Sequence, residues 1–400
     1  MPDGDPLPPD GALPPDVRAG AGQRPFSIYI HVPYCASRCG YCDFNTYTAV
    51  ELGGGASQAS YARDAIVEIA LARTVLGDVE LPVQTVFFGG GTPTVLPVAD
   101  LAAMLAAVDE QFGLATDAEV TTEANPESVS ASSLRQLRDS GFTRISFGMQ
   151  SAVEHVLAVL DRHHTPGLAM QRVGEATAAG FDHVSLDLIY GTPGETDADW
   201  QLSLDAAIAA EPDHISAYSL IVEDGTRLAG QVTRGELPRP DDDALADRYL
   251  MADGALTHAG FGWYEVSNWA RRDGECRHNL AYWRSADWWG VGPGAHSHVG
   301  GVRWWNVKHP TAYAARIRNG LSPGYARECL DAESQRVERV MLQLRLAEGL
   351  PLETLDNAGR RAAEVELDAG LLAAAAFAAG RAVLTPRGRL LADGIVRRLL

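Results

Sequence analysis

Three of the five cysteines in this 400-residue chain fall within eight positions, in the stretch YIHVPYCASRCGYCDFN. The spacing C-x3-C-x2-C places the thiolates of Cys35, Cys39 and Cys42 on one short loop. A structural zinc site normally closes with four ligands, and residues 43–45 supply no further Cys or His. An iron–sulfur cubane held by three cysteines instead keeps one iron free for a small molecule. The cysteines therefore favour an open-site iron–sulfur cluster over zinc or buried structural cysteines.

This spacing directly after a strand-like stretch, FSIYIHV, resembles the radical S-adenosylmethionine (SAM) family. The resemblance implies a [4Fe-4S] cluster on Cys35, Cys39 and Cys42, with SAM bound through its amino and carboxylate groups to the fourth iron. It also implies that Tyr41, the aromatic residue before the last cysteine, lies near the adenine of SAM.

A glycine-rich turn, FFGGGTPT at residues 87–94, follows a second strand-like stretch. Glycines let a backbone approach a ligand without side-chain obstruction, although a plain tight turn has the same composition. After a C-x3-C-x2-C loop, the turn resembles the motif with which the radical SAM family hydrogen-bonds the SAM amino group. The resemblance implies contacts from Gly90, Gly91 and Thr92.

Polar side chains recur where later strand-like stretches end, and each one alone fits a surface residue or a helix cap. Together they match the strand-end layout of a barrel active site. Arg162 suits a carboxylate by bidentate pairing, Asp187 a ribose hydroxyl and Glu123 an ammonium. With Gln150, and with Tyr29 on the preceding strand, these residues form the expected SAM-binding set.

The elements that must position these residues alternate between residue 26 and about residue 220. Short apolar stretches are separated by longer Ala-, Leu- and charge-rich stretches of helical period. Repeated strand and helix predict a parallel sheet with its functional groups at the carboxyl ends of the strands. The six strand-like stretches are FSIYIHV, TVFFGGG, EVTTEANP, RISFGMQ, HVSLDLIYG and HISAYSLIVE. Six units are fewer than a full eightfold barrel, so we predict an α/β fold with a partial (β/α)6 TIM-type barrel.

Composition changes along the chain predict four regions. Residues 1–25 are rich in Pro, Gly and Asp and are expected to be a disordered tail. Residues 26–225 are expected to form the partial barrel, and residues 226–320 an aromatic-rich connecting region. Residues 321–400 are expected to form a smaller, mainly helical and winged-helix-like domain.

The charge balance argues against nucleic acid as a partner. Lys and Arg number 33 against 52 Asp and Glu, a formal net charge of -19, which opposes attraction to phosphates or anionic lipid. The first 25 residues lack the pattern of a signal peptide, and no apolar run reaches the ~20 residues of a membrane span. We therefore expect a cytoplasmic protein, where clustered cysteines favour a metal or redox role over disulfides.

A wider set of motifs narrows the resemblance. IHVPYCxxxCxYCDF, GGGTPT, ExNP, RISFGMQS, DLIYGTPGET, HISAYSL and YEVSNWA together resemble the oxygen-independent coproporphyrinogen III oxidase family and its haem-chaperone relatives. The similarity covers roughly residues 26–400. It implies an incomplete six-stranded barrel with a helical C-terminal domain, and it adds Ile221 and His296 to the expected SAM site.

Two features favour the chaperone branch over the oxidase branch. The oxidases carry a further cysteine two residues after the third, C-x2-C-x-C, whereas Phe44 stands at that position here. Phenylalanine cannot ligate iron. The oxidases also have an ordered N-terminal arm, for which the tail of about 25 residues is too polar and irregular.

The stretch CRHNLAYW at residues 276–283 carries groups suited to a haem. His278 offers an imidazole nitrogen to iron, and Tyr282 and Trp283 offer flat faces to a macrocycle. An isolated His-Asn pair is usually structural, but the HNxxYW pattern resembles the segment assigned to haem binding in the haem chaperones.

The sequence thus favours a haem chaperone with a [4Fe-4S] cluster and SAM, which passes haem to haem-requiring respiratory proteins. Transient membrane association would then come through the acceptors, and the protein would be a monomer or a homodimer. The alternative is an oxygen-independent coproporphyrinogen III oxidase, which decarboxylates its substrate to protoporphyrinogen IX by radical SAM chemistry. A radical SAM methyltransferase or maturase is a third, less favoured class.

Overall fold

The computed structural model describes residues 4–15, 17, 21–52, 58–163 and 165–400. Six neighbouring parallel strands curve into a partial barrel, in the order in which they occur along the chain. They are β2 (Phe26–Val32), β3 (Val83–Gly90), β4 (Leu114–Ala124), β5 (Arg144–Gln150), β6 (His183–Tyr190) and β7 (His214–Ser219). The α/β partial barrel predicted from the sequence is confirmed.

The strands alternate between apolar and polar residues because the two faces of the sheet meet different surroundings. In β6, Val184, Leu186 and Leu188 are buried in the main hydrophobic core. Ser185 and Asp187 point to the other face and line a cavity inside the barrel. The inner face of this strand therefore carries polar side chains that reach the cavity.

Helices connect the barrel strands and cover the outer face of the sheet. Two of them begin with capping boxes, in which Ser130 and Thr196 each accept a backbone N–H from the third helical residue. The connecting helices are Ala49–Leu52, Gln58–Leu76, Val98–Phe112, Ala131–Asp139, Glu154–Val159, Leu168–Ala179 and Asp197–Ala209, with short 3-10 turns at Pro93–Val95 and Pro126–Ser128.

The region between the barrel and the C-terminal helices is more than a connection, because it extends the sheet at both edges. Strands β8 (Gly262–Glu265) and β9 (Asn268–Ala270) continue it antiparallel beyond β7, and β10 (Asp287–Val291) lies parallel beside β2. Beyond β10 follow β11 (His296–Val299), β12 (Val302–Asn306) and β13 (Gly324–Cys329), all antiparallel. Four helices accompany these strands: Arg227–Thr233, Asp242–His258, Arg277–Trp283 and Pro310–Arg318.

The proline-rich segment expected to be disordered is packed on the protein in its described part. Strand β1 (Asp5–Pro6) pairs antiparallel with β13 and brings the described sheet to thirteen strands. Leu13 and Val17 are buried in the main core. The prediction of disorder is wrong for these residues. It was based on average composition, which does not show that a few apolar side chains pack into the main core. Prolines also reduce the conformational entropy that this segment loses when it becomes ordered.

The C-terminal region has a hydrophobic core of its own, which includes Val340, Leu355 and Ile395. Its helices are Ala332–Gln343, Asn357–Asp368, Ala374–Ala378, Pro386–Leu390 and Ala392–Leu399, with a 3-10 turn at Leu352–Thr354 and a two-stranded sheet of Leu350–Pro351 and Arg381–Ala382. The boundary expected at residue 321 is too early, because β13 belongs to the main sheet. No helix in the described ranges is long and apolar enough to cross a membrane.

Candidate functional site

A cavity of about 670 Å³ opens at the carboxyl ends of the barrel strands and reaches into the barrel. This volume is typical of sites for small molecules. Most side chains expected at the cofactor site line it: Tyr29, Cys35, Cys39, Tyr41, Cys42, Gly90, Gly91, Thr92, Glu123, Gln150, Arg162, Asp187 and Ile221, with His278 and Tyr282 deeper inside. The cavity walls do not include His296 or Trp283.

The three clustered cysteines are half-buried on the loop after β2. The backbone N–H of Cys35 donates to the carbonyl of Tyr47 at 3.0 Å, and Thr46 lies 3.9 Å from the sulfur of Cys42. Burial, with repulsion from neighbouring Cys42, raises the pKa of the Cys35 thiol to about 11. Such thiols need a cation to stabilise their thiolates, as a metal cluster provides.

The donor set fits an iron–sulfur cluster better than a mononuclear metal. Within the described ranges, no three His, Cys, Asp or Glu side chains converge closely enough to hold a single ion. A cubane binds each thiolate through a different iron, so its ligands surround it and do not converge on one point. Three soft thiolates around one cavity wall satisfy that requirement.

The glycine-rich turn packs against the cysteine loop. A Cβ at Gly91 would lie 2.5 Å from the carbonyl oxygen of Tyr34 and 3.0 Å from the sulfur of Cys35, so only glycine fits. The N–H of Gly91 donates to Val32 at 2.8 Å and the N–H of Thr92 to Tyr34 at 2.8 Å. A ligand ammonium donates hydrogen bonds, so it would contact oxygen acceptors of the turn and not these N–H groups.

Two half-buried acids line the cavity, where a cation would stabilise them. Burial, with repulsion from Asp187, raises the pKa of Glu123 to about 8. Burial also raises the pKa of Asp187, although Ser146 donates to this carboxyl at 2.9 Å. The N–H of Gly90 donates to Glu123 at 3.1 Å. The arrangement suits a ligand that carries an ammonium and hydroxyl donors.

Arg162 points a cation toward the cluster loop. Its Nη2 donates to the carbonyl of Gly148 at 2.8 Å, and its Nη1 lies 3.7 Å from the sulfur of Cys39. Its Nε is buried without a partner, which is unusual for a guanidinium and fits an absent carboxylate. Gln150 nearby has a positive φ of 66°, a backbone conformation often found at functional sites.

The helix Arg277–Trp283 lies beside the barrel interior and is held there by His278. The Nδ1 of His278 is 2.6 Å from the hydroxyl of Thr85, and its Nε2 is 2.9 Å from the hydroxyl of Tyr282. Burial lowers the pKa of this imidazole to about 3, so it is neutral. Since both ring nitrogens are occupied, His278 could ligate iron only after losing one of these contacts. Trp283 is half-buried with its indole N–H enclosed and unpaired.

His296 stands apart from the residues expected at the SAM site. It is exposed on β11, and its ring stacks on Trp305 at a centroid distance of 5.9 Å. The resemblance suggested both His296 and Ile221 as SAM contacts. Ile221 lines the cavity, whereas His296 does not.

Sequence reasoning missed the charged floor of the cavity. Arg144 is only 1% exposed, lies 3.7 Å from a carboxylate oxygen of Glu119 and donates to Ser185 at 3.0 Å. The buried hydroxyl of Thr121 and Nδ1 of His214 also lie there without partners. Alternation of polar residues along β4 and β5 could have revealed this inward face.

Comparisons with known proteins agree with this architecture. The Radical SAM superfamily model matches residues 29–207. The chain is 53% identical to the heme chaperone HemW of Mycobacterium tuberculosis over 379 residues, which cover 94% of this chain and 95% of that protein. It is 36% identical to the Synechocystis heme chaperone HemW over 342 residues, which cover 84% and 81% of the two chains.

A solved structure shares the fold. Coproporphyrinogen III oxidase (HemN) from Escherichia coli, a radical SAM enzyme, superposes with a TM-score of 0.82 at 22% identity and covers 96% of this chain and 92% of its own. At that identity the likeness concerns the fold alone. The sequence matches decide the relationship: this chain belongs to the heme chaperone HemW family of the radical SAM superfamily.

Proposed function

We propose that this protein is a cytoplasmic haem chaperone, which binds haem and transfers it to haem-requiring respiratory proteins. The observation that carries the proposal is 53% identity, over 94% of the chain, to a protein named heme chaperone. The proposed cargo is haem, and the proposed resident cofactors are a [4Fe-4S] cluster and SAM. Contact with a membrane would come through the acceptors.

The cluster is proposed to be held by Cys35, Cys39 and Cys42. When bound, it would supply electrons to SAM. The polar wall of the same cavity supports SAM binding, since Arg162 has an unpaired donor for a carboxylate. Glu123 would take the ammonium, because a half-buried acid with a raised pKa gains from a neighbouring cation.

The remaining proposed SAM contacts follow from position on the same wall. Asp187 would accept from ribose hydroxyls, and Tyr41 would face the adenine. The others are Tyr29, Gly90, Gly91, Thr92, Gln150 and Ile221. In this proposal the cluster and SAM serve mainly to complete the structure, or to license dimerisation and haem transfer.

Haem is proposed to bind at the helix that carries His278, Tyr282 and Trp283. Phe44 supports a chaperone over an oxidase, because it is 60% exposed at the cavity wall where the oxidases have a further cysteine. Its side chain offers neither an iron ligand nor an acid or base.

The test uses anaerobically reconstituted protein with cluster and SAM, incubated in parallel with haem and with coproporphyrinogen III. We expect one haem retained per chain after gel filtration, and no protoporphyrinogen by chromatography. A Cys35→Ala variant without the cluster separates cofactor-dependent reactions from background. SAM-dependent decarboxylation over repeated turnovers, absent in that variant, would overturn the proposal in favour of the oxidase.

A further inference from the structure

One loop beside the clustered cysteines is not used by the cofactor chemistry proposed above. It joins β10 to β11, spans residues 292–295 and belongs to the motif GVGPGAHS. We name it the β10–β11 loop. The N–H of Gly294 donates to the carbonyl of Val307 at 2.9 Å, and the N–H of Asn306 donates to the carbonyl of Ala295 at 2.9 Å. The loop is therefore fixed to the end of β12 and the residues that follow it.

Asn45 joins this loop to the loop that carries the three cysteines. It lies three residues after Cys42, and its side chain is half-buried. Its Nδ2 donates to the carbonyl of Pro293 at 2.9 Å and to the carbonyl of Lys308 at 2.8 Å. The hydroxyl of Tyr47 donates to its Oδ1 at 3.2 Å. Both amide hydrogens and the amide oxygen are thus used, which fixes the orientation of the amide.

The fit at this contact is specific for both partners. A Cβ at Gly294 would lie 2.5 Å from the Nδ2 of Asn45, and Gly294 has a positive φ of 75°. Aspartate at position 45 would have the same shape, but its carboxylate would face two carbonyls without a hydrogen to donate. The contact therefore requires an amide at position 45 and a glycine at position 294.

The backbone of Asn45 contacts the cofactor side of the barrel. Its carbonyl lies 2.9 Å from the Nε2 of His31, and the Nδ1 of His31 lies 3.0 Å from the hydroxyl of Tyr29. Because a carbonyl only accepts, Nε2 carries the proton and Nδ1 accepts from Tyr29. A Cβ at Gly90 would lie 2.6 Å from the ring of His31. Asn45 thus connects the cavity wall, the cysteine loop and the β10–β11 loop.

The β10–β11 loop in turn lies next to the segment proposed to contact haem. The ring centroid of Trp288, on β10, is 4.7 Å from that of Tyr282. The indole N–H of Trp288 donates to the carbonyl of His296 at 2.9 Å, which ties the strands on both sides of the loop together. An ordered β10–β11 loop therefore fixes a direct neighbour of the helix Arg277–Trp283.

The cysteine loop gains order from any group that its cysteines bind. Residues 35–42 form turns and bends and no helix or strand. A cluster on three thiolates ties three points of this loop together, and binding of this kind orders the chain that supplies the ligands. Coupling is reciprocal, so a contact that becomes firmer when the cluster binds also strengthens cluster binding.

We propose that Asn45 is a positioning residue that couples cluster loading to the order of the β10–β11 loop and of residues 306–308. With the cluster bound, the cysteine loop holds Asn45 against Pro293 and Lys308. Without it, these contacts are made only part of the time. The inference rests on the proposed cluster site and extends it to a second loop.

Hydrogen exchange with mass spectrometry tests the coupling on cluster-loaded and cluster-free protein. In wild type, loading should slow amide exchange in residues 292–295 and 306–308 at least ~10-fold, about the effect of two hydrogen bonds. In Asn45→Asp, loading should change this exchange by less than ~2-fold, because both donated hydrogen bonds are gone. The cluster-free forms of the two proteins should exchange alike. The matched control is Asn319→Asp, since Asn319 is exposed and its Nδ2 also donates to a carbonyl, that of Ala315.

Cluster retention is the reciprocal measurement. Asn45→Asp should keep its cluster only against a ~10-fold lower concentration of an iron chelator than wild type, whereas Asn319→Asp should match wild type. Gly294→Ala reaches the same contact from the other loop and leaves the cysteine loop unchanged, so it should reproduce both effects. Its control is Gly320→Ala, because Gly320 has a similar positive φ of 69° and a Cβ there meets no atom of the described residues within 4 Å.

The possible failures are distinguishable. Wild-type protein that holds no cluster after anaerobic reconstitution overturns the proposed cofactor. A loaded wild type whose exchange in residues 292–295 equals that of the cluster-free protein overturns only the coupling. Exchange that Asn45→Asp speeds equally in the cluster-free and the loaded protein would show a merely structural contact and would also overturn it. A variant that does not load is still informative, because cluster-free exchange faster than in wild type points to the same structural role.

Discussion

At the scale of single residues, ionisable side chains of both signs line the cavity beside Cys35, Cys39 and Cys42. Glu123 and Asp187 repel one another inside the barrel, and burial raises the pKa of both. Arg162 has a buried donor without an acceptor. A zwitterionic ligand such as SAM would satisfy both signs of charge, because its ammonium and its carboxylate are held on one carbon.

Replacing Glu123 by Gln should weaken SAM binding ~10-fold at about pH 8, since a charge-assisted contact is lost. The pKa of Glu123 is raised to about 8, so the wild-type carboxyl is mostly protonated at lower pH and ionises as pH rises through 8. The ratio of the two affinities should therefore grow between about pH 6 and 8.5. Calorimetry on cluster-loaded protein measures the SAM affinities of wild type and Glu123→Gln at each pH. The exposed Glu154→Gln variant is the control. A constant ratio would argue against an ionised Glu123 as the ammonium partner.

Replacing Cys42 by Ala should abolish most bound iron and sulfide after anaerobic reconstitution, because a cubane with two protein ligands is poorly held. Metal analysis and the visible absorption of the cluster report the loss. Cys329→Ala is the control, as Cys329 is an exposed cysteine outside the cavity. Equal iron content in the two variants would remove Cys42 from the ligand set.

Residue types and spacing indicate most of the side chains that line the cavity beside the clustered cysteines, but not the position of His296. Cys35 and Gly91 could be placed because each follows a strand-like stretch, and the ends of parallel strands meet at one edge. Asp187 lies within β6 and could be placed because polar residues alternate with apolar ones there. His296 and His298 are two residues apart in one motif, so nothing local separates them. Burial and the acceptors around Nδ1 distinguish them, and both come from tertiary packing.

At the scale of elements, one buried acid joins a barrel helix to the strands added beside β2. Glu68, on the helix Gln58–Leu76, accepts from the N–H of Gly292 at 2.7 Å and the amide of Asn306 at 2.7 Å. The hydroxyl of Tyr313 donates to it at 2.6 Å. Burial nevertheless raises the pKa of Glu68 to about 7, so the folded chain holds a proton that the unfolded chain releases.

This acid should make stability depend on pH. Between about pH 4.5 and 7 the folded state binds the extra proton, so the free energy of unfolding should fall as pH rises, by up to about 3 kcal/mol. Above pH 7 the contribution should level off. Urea unfolding of wild type and Glu68→Gln across this pH range measures the contribution of Glu68 to stability. The exposed Glu110→Gln variant is the control. Parallel curves for wild type and Glu68→Gln would show that Glu68 does not titrate there.

The barrel elements were predictable, and the added strands were not. The six barrel strands have long apolar stretches followed by helices of clear period. Strand β10 is five residues long, with two tryptophans and a glycine, and it reaches its partner β2 across more than 250 residues. Its pairing depends on tertiary contact, which no local pattern expresses.

At the scale of the whole molecule, a bidentate ion pair joins the C-terminal domain to the helix Asp242–His258, which packs against the main sheet. Arg389 donates to both carboxylate oxygens of Asp253 at 2.8 Å, and its guanidinium lies 4.4 Å from the ring centroid of Trp263. Because Arg389 is 7% exposed and Asp253 17% exposed, the pair is shielded from solvent. The helix Ala332–Gln343 belongs to the domain held in this way.

Replacing Arg389 by Ala should lower the free energy of unfolding by about 3 kcal/mol, because Asp253 is left as an uncompensated buried charge. It should also speed amide exchange in the helix Ala332–Gln343. Hydrogen exchange with mass spectrometry measures both, against Arg387→Ala at an exposed site two residues away. Identical exchange in the two variants would mean that other contacts hold the domain.

The central claim concerns haem transfer, and transfer to a haem-free acceptor tests it most directly. Haem-loaded protein with intact cluster and SAM would be mixed with haem-depleted respiratory membranes, and the acceptor spectrum followed over time. The account predicts that the membranes gain haem-dependent activity as the protein loses its haem. This gain should be faster than the gain from an equal amount of haem supplied on albumin. Haem that stays on the protein, or transfer no faster than from albumin, would contradict a chaperone.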